Sequence, residues 1–379
     1  MEKQVNIPKL RFPKFEEFWE ISNGRQLFES ISNKNHNSDL PILAISQEYG
    51  AVPREMIDYK ISVTDKSIES YKVVEKGNFI ISLRSFQGGI EYSNYHGICS
   101  PAYVILKPKR QINDIFFKNY LKTDRYIIEL NKKLEGIRDG KMISYSYFSE
   151  INLTFPSLSE QTKIASFLTT VDDKLQALKN KKQLLEQYKK GVMQKIFSQE
   201  IRFKDDIGND FPEWEKKKLG EVANKKSSNI SANKIEDNFG DYIIYGASGI
   251  LKKVDFYKEE DDYISIIKDG AGVGRLLYCK GQSSVLGTME IIRPNEGINT
   301  YYLYCLLSNI DFVKYVTGST IPHIYFKDYS SEICGLPCLE EQTKIATFIS
   351  AIYDKIKAVE VQIEKMEVWK KGLLQQMFC

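Results

Sequence analysis

The histidines and cysteines are the residues best suited to bind a metal or act as nucleophiles, but their spacing favours neither role. Cys334 and Cys338 lie four positions apart, with no histidine pair near them in the sequence, whereas a zinc site needs four such ligands. His36, His96 and His323 are isolated from one another. Scattered thiols in an intracellular protein are usually reduced and often buried. We therefore expect no metal centre, and cysteines with a structural role.

A run of three glycines, Gly270, Gly272 and Gly274, resembles a phosphate-binding loop. A dinucleotide-binding loop must open a helix, whereas the segment RLLYCKGQ that follows here resembles another strand. The pattern therefore favours a hairpin or bulge. The sequence contains neither a P-loop nor the Asp/Asn-Pro-Pro-aromatic motif of amino-methyltransferases. These absences weigh against autonomous catalysis.

The composition is that of a folded protein without a dominant charge. Of the 379 residues, 42% are hydrophobic and 12% aromatic, and the net charge is +3. No segment approaches the roughly 18 apolar residues that span a bilayer, and the start MEKQVNIPKL lacks the apolar run of a signal peptide. We expect a soluble, cytoplasmic protein. So small a net charge does not by itself indicate nucleic acid, so any DNA-binding surface must be local.

An internal repeat organises the chain. Residues 157–197 align without a gap with residues 338–378, at a constant offset of 181, and both copies contain the sequence EQTKIA. A shorter repeat, Arg-Phe followed by Trp-Glu, precedes each of two variable regions. Its members are Arg11-Phe12 with Trp19-Glu20, and Arg202-Phe203 with Trp214-Glu215. The chain is therefore two copies of one plan, a variable region followed by a shared segment.

The shared segments have the pattern of long helices that begin just after Pro156 and Pro337. Apolar residues recur every seven positions through five heptads, which is typical of a coiled coil. At 1.5 Å per residue each helix would be about 57 Å long. The neighbouring apolar row is interrupted by Lys182, Lys189 and Lys370. The predicted interface residues are Ile164, Val171, Leu178, Leu185, Ile345, Ile352, Val359 and Met366.

Two similar seams in one chain favour pairing with each other, because linkage raises their effective concentration. An antiparallel arrangement would leave a variable region at each end of the pair. Two alternatives remain open at this level. The seams could bind other proteins, or the helices could belong to separate domain cores.

The two variable regions share a pattern of elements rather than a sequence. Each has a strand-like run that ends in glycines (Phe79–Gly89 and Tyr263–Gly274), a second strand, an aromatic-rich helix (Ile115–Leu130 and Tyr301–Tyr315) and a polar closing loop. We expect two similar mixed α/β globular domains with diverged surfaces. The predicted division is residues 1–155, 156–200, 201–336 and 337–379, as first variable domain with the N-terminal segment, central helix, second variable domain and C-terminal helix.

This duplicated arrangement resembles the specificity subunit of type I restriction-modification systems over nearly the whole chain. In the first half, Trp19 is followed by EISNGRQLF where the second half has EKKKLGEV after Trp214, so the start of the first domain departs from the pattern. The segments that carry the resemblance are Phe155–Leu168, Leu336–Ile349, Tyr188–Phe197, Trp369–Phe378, Ile201–Phe203, Trp214–Val222 and Gly318–Tyr329.

The resemblance implies that each variable region is a target recognition domain for one half of a split, asymmetric DNA site. The helices would set the distance between the half-sites and scaffold two modification subunits, which bind S-adenosylmethionine and methylate adenine. Restriction subunits with ATP-dependent translocase and nuclease activity, using Mg²⁺, would join this core. The chain itself would bind no cofactor, carry no catalytic residue, and associate with the nucleoid through double-stranded DNA.

Side chains that enter the major groove discriminate bases, whereas phosphate contacts position the protein. Arg84 and Lys268 occupy matching places at the glycine turns of the two regions and are the first candidates for DNA contacts. The further candidates are Gln87, Arg138, Lys141, Arg275, Ser319, Thr320, His323 and Lys327. An ordinary solvated role is the alternative for each of these residues.

Two other functions are compatible with the sequence. The chain could be a stand-alone nuclease or methyltransferase, which would modify DNA without partner subunits. It could also be a scaffold whose two domains bind proteins and not DNA, in which case the chain would show no salt-sensitive binding to duplex DNA.

Overall fold

The computed structural model describes residues 7–37, 39–57, 68–132 and 143–379. The chain forms two compact units, of which unit 1 comprises Met1–Lys179 with Gln362–Cys379 and unit 2 comprises Asn180–Val361. Each unit contains one variable region, here called its head. The long helices α6 (Leu158–Phe197) and α10 (Leu339–Met377) contribute residues to both units.

The head of unit 1 is built on a four-stranded sheet in the order β2-β9-β6-β7, and every neighbouring pair in it is antiparallel. The strands are β1 (Glu20–Asn23), β2 (Phe28–Ile31), β3 (Leu43–Ser46), β4 (Gly50–Pro53), β5 (Lys72–Val74), β6 (Phe79–Ile81), β7 (Glu91–Tyr92), β8 (Gly97–Cys99), β9 (Val104–Pro108) and β10 (Asn152–Phe155). The helices are α1 (Gly24–Leu27), α2 (Ser85–Gly88), α3 (Asp114–Tyr120), α4 (Asp124–Asn131) and α5 (Tyr145–Ser149), with a 3-10 turn at Arg54–Met56.

The head of unit 2 is built on a sheet in the order β12-β18-β15-β16, again antiparallel throughout. The strands are β11 (Glu215–Lys218), β12 (Ala223–Ser227), β13 (Tyr242–Gly246), β14 (Gly249–Val254), β15 (Tyr263–Ile267), β16 (Leu276–Cys279), β17 (Ser283–Val285), β18 (Met289–Pro294) and β19 (Ile333–Leu336). The helices are α7 (Leu219–Val222), α8 (Thr300–Ser308) and α9 (Phe326–Tyr329), with 3-10 turns at Ala232–Ile235 and Phe312–Tyr315.

The two heads have the same topology. Strands β2, β9, β6 and β7 correspond in order and direction to β12, β18, β15 and β16. The first strand of each head pairs with its last strand, with Glu20 opposite Phe155 and Glu215 opposite Leu336. A separate hairpin accompanies each sheet, β3–β4 in unit 1 and β13–β14 in unit 2. The predicted mixed α/β class with an internal repeat is therefore confirmed.

The aromatic-rich helices are shorter than the sequence pattern predicts. The segment Ile115–Leu130 divides between α3 and α4, because Thr123 caps a new helix by accepting a hydrogen bond from the Tyr126 N–H. The segment Tyr301–Tyr315 divides between α8 and a 3-10 turn, where the Asp311 carboxylate accepts from the Val313 N–H. A local cap therefore ends the helix that continuous apolar spacing predicts.

The two long helices run antiparallel within each unit. In unit 1, the Lys370 ammonium lies 2.6 Å from a carboxylate oxygen of Asp172, and the Lys179 ammonium lies 2.8 Å from a carboxylate oxygen of Glu367. In unit 2, Lys182 lies 3.0 Å from Glu360, and the Lys189 ammonium lies over the Tyr353 ring. The three lysines that interrupt the apolar row therefore contact the opposite helix. Partly exposed pairs of this kind contribute at most about 1 kcal/mol, so apolar burial dominates.

The predicted seam residues divide between a helix seam and the cores of the heads. Six of them are buried, and Leu185 and Met366 are half-buried. In unit 1, Ile164 and Val171 belong to the same hydrophobic core as Phe116 and Phe155 of the head. In unit 2, Ile345 and Ile352 share a core with head residues such as Tyr302. The helix ends thus extend the cores of the heads. The buried members are Ile164, Val171, Leu178, Ile345, Ile352 and Val359.

The repeated EQTKIA sequence attaches each helix to its head. The buried Glu160 carboxylate accepts two hydrogen bonds from Arg11, and the buried Glu341 carboxylate accepts two from Arg202. The next residue connects the helix to the loop before α3 or α8. Gln161 accepts from the Asn113 N–H and donates to the Pro156 carbonyl, and Gln342 does the same with Asn299 and Pro337.

A backbone hydrogen bond is repeated at the far end of each long helix. In unit 2, the Ile201 N–H donates to the Lys195 carbonyl at 3.1 Å, just beyond the end of α6. In unit 1, the Leu10 N–H donates to the Gln376 carbonyl at 2.9 Å, at the end of α10. Lys195 and Gln376 occupy the same position of the repeat. The segment that leads into each head is therefore held by an equivalent helix end.

Within the described ranges, no helix has both the length and the apolar content required to cross a membrane.

Candidate nucleic-acid interface

The first candidates for DNA contacts follow equivalent strands. Arg84 comes three residues after the end of β6, and Lys268 comes directly after β15. We call the segments that contain them loop 1 (residues 82–89) and loop 2 (residues 268–275). Because β6 and β15 hold the same place in their sheets, the two loops leave the two heads at corresponding positions. Their conformations differ, since loop 1 contains α2 and loop 2 is a glycine-rich turn.

Loop 1 presents Arg84 and Gln87 on an anchored turn. Both side chains are exposed. The Arg84 carbonyl accepts a hydrogen bond from the Gln47 side chain at 2.9 Å, and its N–H donates to Ser82 Oγ. Gly89 closes the loop at φ +81°, where an added Cβ would lie 2.1 Å from the Leu121 carbonyl oxygen. The turn is thus held from two sides, while its arginine side chain is left in solvent.

Loop 2 is a hairpin connection, as its sequence predicts, and not a phosphate-binding loop. Strands β15 and β16 on either side pair with each other antiparallel. Gly270, Gly272 and Gly274 all have φ between +84° and +86°, a region that other residues enter only with strain. The Gly274 N–H donates back to the Ile267 carbonyl at 2.8 Å. The glycines are therefore explained by the backbone conformation that this hairpin connection requires.

Loop 2 is joined to the closing loop of the same head, residues 317–326. The Gly270 N–H donates to the Pro322 carbonyl at 2.9 Å, and the Ile324 N–H donates to the Lys268 carbonyl at 3.0 Å. Thr317 and His323 exchange backbone hydrogen bonds of 2.8 and 2.9 Å. Segments about 50 residues apart in the sequence therefore form one surface.

Most candidates in unit 2 lie on this surface or beside it. Ser319, Thr320 and Lys327 are exposed, and His323 is half-buried with Nδ1 3.1 Å from the Ile321 carbonyl. Lys268 is half-buried, and its ammonium lies 4.0 Å from the Asp269 carboxylate.

Arg275 is exposed, but its guanidinium donates to the Ala247 carbonyl in the turn between β13 and β14. The guanidinium makes no other hydrogen bond or ion pair with the described residues, so four of its five N–H groups remain available there, and the bond to Ala247 fixes the direction of the side chain. Arg138 and Lys141, the other candidates in the first head, lie outside the described residues.

The turns of the hairpins that accompany each sheet are not among the candidate residues that the sequence predicts. Gln47 binds loop 1 from the turn between β3 and β4, and Ala247 binds loop 2 from the turn between β13 and β14. Tyr49, on the first of these turns, is exposed. The sequence QEYG at positions 47–50 contains a turn signal, since Gly50 has φ +74°. The sequence of this turn alone does not indicate that the Gln47 side chain binds the Arg84 carbonyl.

Several other cations are bound to buried acids and are therefore structural. Glu259 is held by both Lys226 and Arg293. Glu91 is held by Lys122, where burial raises the pKa of the carboxyl and lowers the pKa of the ammonium. A lysine that neutralises a buried acid contributes little positive charge to a DNA-binding surface. Arg84 has no such acidic partner among the described residues.

The described residues contain no group of three or more histidine, cysteine or acidic side chains arranged to hold a metal. All six cysteines are free thiols, and five are buried. Burial raises the pKa of Cys99, Cys279 and Cys305 to about 12, so these thiols stay protonated at neutral pH. They are packing residues rather than nucleophiles.

Comparison with known proteins identifies the class of protein that this architecture represents. The model of the type I restriction modification DNA specificity domain matches the chain twice, over residues 11–187 and residues 212–367. The chain therefore belongs to the family of type I restriction-modification DNA specificity proteins. Its place in such a system is that of the DNA-specificity component and not of a catalytic subunit.

Particular relatives align along most of their length. The type I restriction enzyme MjaVIII specificity subunit of Methanocaldococcus jannaschii is 24% identical, over 98% of this chain and 95% of that protein. The MjaIX specificity subunit of the same organism is 20% identical, over 86% and 84%.

The fold is shared with solved structures. The S subunit of a type I restriction-modification system from M. genitalium superposes with a TM-score of 0.61 at 17% identity, covering 98% of this chain and 99% of that one. A chain from a structure of a type I R-M system described for its complex assembly and conformational transition gives a TM-score of 0.54 at 15% identity, over 95% and 97%.

Proposed function

We propose that the chain recognises a bipartite, asymmetric DNA site, with one half read by each head, and scaffolds the subunits that act on that DNA. Loop 1 with the β3–β4 turn reads one half-site. Loop 2 with the closing loop and the β13–β14 turn reads the other. Phosphate contacts position each head, and side chains such as Arg84 and Arg275 discriminate bases in the major groove.

One observation carries this proposal: two heads of identical topology present different loops at the same place. Loop 1 is a helical turn with an exposed arginine and glutamine, whereas loop 2 is a glycine turn bonded to a second loop. A protein with two identical tasks would gain nothing from this divergence. Unlike loops on a common frame suit two unlike half-sites, and hence an asymmetric target.

The long helices are the natural spacer. DNA repeats its groove every 34–36 Å or so, and a helix of 40 residues such as α6 is about 60 Å long. A stiff helical connection fixes the separation of the half-sites where a flexible linker would leave it variable. The helices also provide the repeated surface to which two copies of a modification subunit bind.

The chemistry belongs to the partners in this proposal. Modification subunits bring S-adenosylmethionine and the methyl transfer to adenine, and restriction subunits bring ATP, Mg²⁺ and DNA cleavage. The specificity chain itself needs no cofactor. DNA binding places the assembled complex on the nucleoid in the cytoplasm.

Methylation mapping tests this function. DNA from cells that express the chain with its modification subunit is sequenced for methyladenine, and cells that lack the chain serve as the control. We expect one split motif with two unlike halves and a spacer of fixed length. A continuous motif, a symmetric motif, or methylation that does not depend on the chain would contradict the proposal.

A further inference from the structure

The closing loop of unit 2 carries an exposed aliphatic side chain at its tip, residues 319–321. Ile321 is 62% exposed, whereas Ile324 of the same loop is buried. A single exposed isoleucine is ordinary on a protein surface. This one lies on the surface that the closing loop forms with loop 2, to which we assign one half of the DNA site, so its surroundings are informative.

The backbone around Ile321 is restrained without help from its side chain. Thr317 and His323 close the loop with two backbone hydrogen bonds of 2.8 and 2.9 Å. Gly318 has φ +90°, and a Cβ there would collide with the Ile321 carbonyl oxygen, which also lies 3.1 Å from His323 Nδ1. The next carbonyl accepts a hydrogen bond from loop 2 at 2.9 Å. The loop therefore presents a stiff, β-branched side chain from a preformed tip, which lowers the entropy cost of a contact.

Two hydroxyl groups precede this aliphatic side chain. Ser319 and Thr320 are exposed, and their hydroxyls form no hydrogen bond with the residues that the structure describes. In the major groove, thymine presents the O4 acceptor next to its C5 methyl group, and no other standard base presents a methyl group there. A hydroxyl donor beside an aliphatic side chain therefore complements thymine better than any other base.

Cationic side chains on the same surface supply the phosphate contacts. Lys327 is exposed, with its ammonium 5.4 Å from the centre of the Tyr325 ring. Arg275 is exposed and held at the Ala247 carbonyl. Such cations bind phosphates and fix the register of a protein on a duplex, but they carry little sequence information in that role. An aliphatic side chain binds no phosphate, so its contribution to a DNA complex is an apolar contact with a base.

We propose that Ile321 packs against the C5 methyl group of a thymine in the half-site read by unit 2, and that a hydroxyl of the same tip, from Ser319 or Thr320, donates to O4 of that base. The inference rests on the proposed function and adds one base to it. The assembled complex therefore distinguishes thymine from uracil, which lacks only this methyl group.

Replacement of thymidine by deoxyuridine tests the proposal, because it removes the methyl group and leaves base pairing unchanged. Duplexes that carry the split motif found by methylation mapping receive one deoxyuridine at a time, in either half-site. The complex of the chain with its modification subunits is titrated with each duplex at fixed salt. The proteins are wild type, Ile321→Ala, Ile321→Val and Ile333→Ala. Ile333 is a matched control, since it is 59% exposed in the same unit but lies on β19.

We expect a position in one half-site at which deoxyuridine weakens wild-type binding about fourfold, the effect of losing one buried methyl group. Ile321→Ala should lose most of this difference, Ile321→Val should keep part of it, and Ile333→Ala should keep all of it. Positions in the other half-site should respond alike in all four proteins. Because the measurement compares two duplexes on the same protein, a loss of active protein does not imitate the effect.

If no position responds differently in wild type and Ile321→Ala, the inference is overturned. It also fails if Ile333→Ala changes the response as much as Ile321→Ala does. Methylation mapping of the wild-type complex is independent of this result. A split motif whose response to deoxyuridine does not depend on Ile321 would refute the thymine contact and leave the proposed function standing, whereas a continuous or symmetric motif would refute the proposed function itself.

Discussion

The guanidinium of Arg11 binds the buried carboxylate of Glu160 through two nitrogen atoms, each 2.8 Å from an oxygen. Arg202 and Glu341 repeat this relationship in unit 2. There the carboxylate also accepts a hydrogen bond from Trp214 Nε1 at 3.0 Å, whereas Trp19 Nε1, in the corresponding residue of unit 1, is buried without a hydrogen-bond partner in the described structure. The contacts that join the two long helices to their heads therefore differ, because the buried carboxylate accepts two hydrogen bonds in unit 1 and three in unit 2.

This difference predicts unequal costs for removing each arginine. Arg11→Ala leaves Glu160 as an uncompensated buried charge and should destabilise unit 1 by about 3–5 kcal/mol. Arg202→Ala should cost unit 2 about 1–2 kcal/mol less, because Trp214 still donates to Glu341. Amide hydrogen exchange, followed separately in the two units, measures both costs. An equal or larger loss of stability in Arg202→Ala would contradict the role that we assign to the hydrogen bond from Trp214 to Glu341.

Alanine substitutions at two glycines of loop 2 allow the stability cost of backbone strain to be distinguished from the cost of a steric clash. Gly270 and Gly274 share φ +84°, so alanine at either should cost about 1–2 kcal/mol in backbone strain. A Cβ at Gly270 meets open space, whereas one at Gly274 would lie 2.9 Å from Phe312 Cβ. Gly274→Ala should therefore cost about 1–3 kcal/mol more than Gly270→Ala. Thermal unfolding of the two variants checks the difference, and equal losses would argue against the packing of Gly274 on Phe312.

Each head should affect only its own half of the DNA site. Arg84→Ala should weaken binding of the assembled complex by about 1–3 kcal/mol and relax selectivity in one half-site. Lys268→Ala, its counterpart in the other head, should act on the other half-site. Competition binding with oligonucleotides altered in one half at a time, at fixed salt, provides the measurement. If either variant disturbed both halves equally, the assignment of one half per head would fail.

Thiol reactivity should distinguish one cysteine from the rest. Cys338 is half-buried, and the other five cysteines are buried. Burial raises the pKa of Cys334 and Cys379 to about 11 and that of Cys99, Cys279 and Cys305 to about 12. At pH 8 a thiol reagent should modify Cys338 first and the others only on unfolding. Cys338→Ser should abolish the fast phase, and a fast phase that persists would show that a buried thiol is accessible.

The long-range repeat was visible in the sequence because a seven-residue period and an identical EQTKIA motif are local signals. The heptads predicted α6 and α10, and glycine spacing predicted the hairpin at loop 2. The contact that gives EQTKIA its role was not visible, since Arg11 and Glu160 are 149 positions apart. The anchoring of Arg84 by Gln47 and of Arg275 by Ala247 is likewise tertiary.

Local caps explain the main errors of the sequence analysis. Thr123 and Asp311 begin new turns inside segments whose apolar spacing predicts one helix. The glycine pattern predicts a simple turn between strands at loop 1, whereas the structure has a helical turn there, because Ser85 Oγ accepts a hydrogen bond from the Ser82 N–H and tightens the chain. Capping side chains of this kind set the backbone conformation over two or three residues. Hydrophobic periodicity needs a longer segment, so it does not predict where such a cap interrupts a helix.

The hydrogen bond between Leu10 and Gln376 reproduces, without a peptide chain joining the two segments, the bond that Ile201 makes with Lys195 on a continuous backbone. Packing rather than covalent continuity therefore holds a head against its helix at that point. The order in which the head and helix blocks are encoded is then interchangeable in principle. A circularly permuted gene would begin at the second head and join the first head directly after α10. The chain that it encodes would make the same set of contacts.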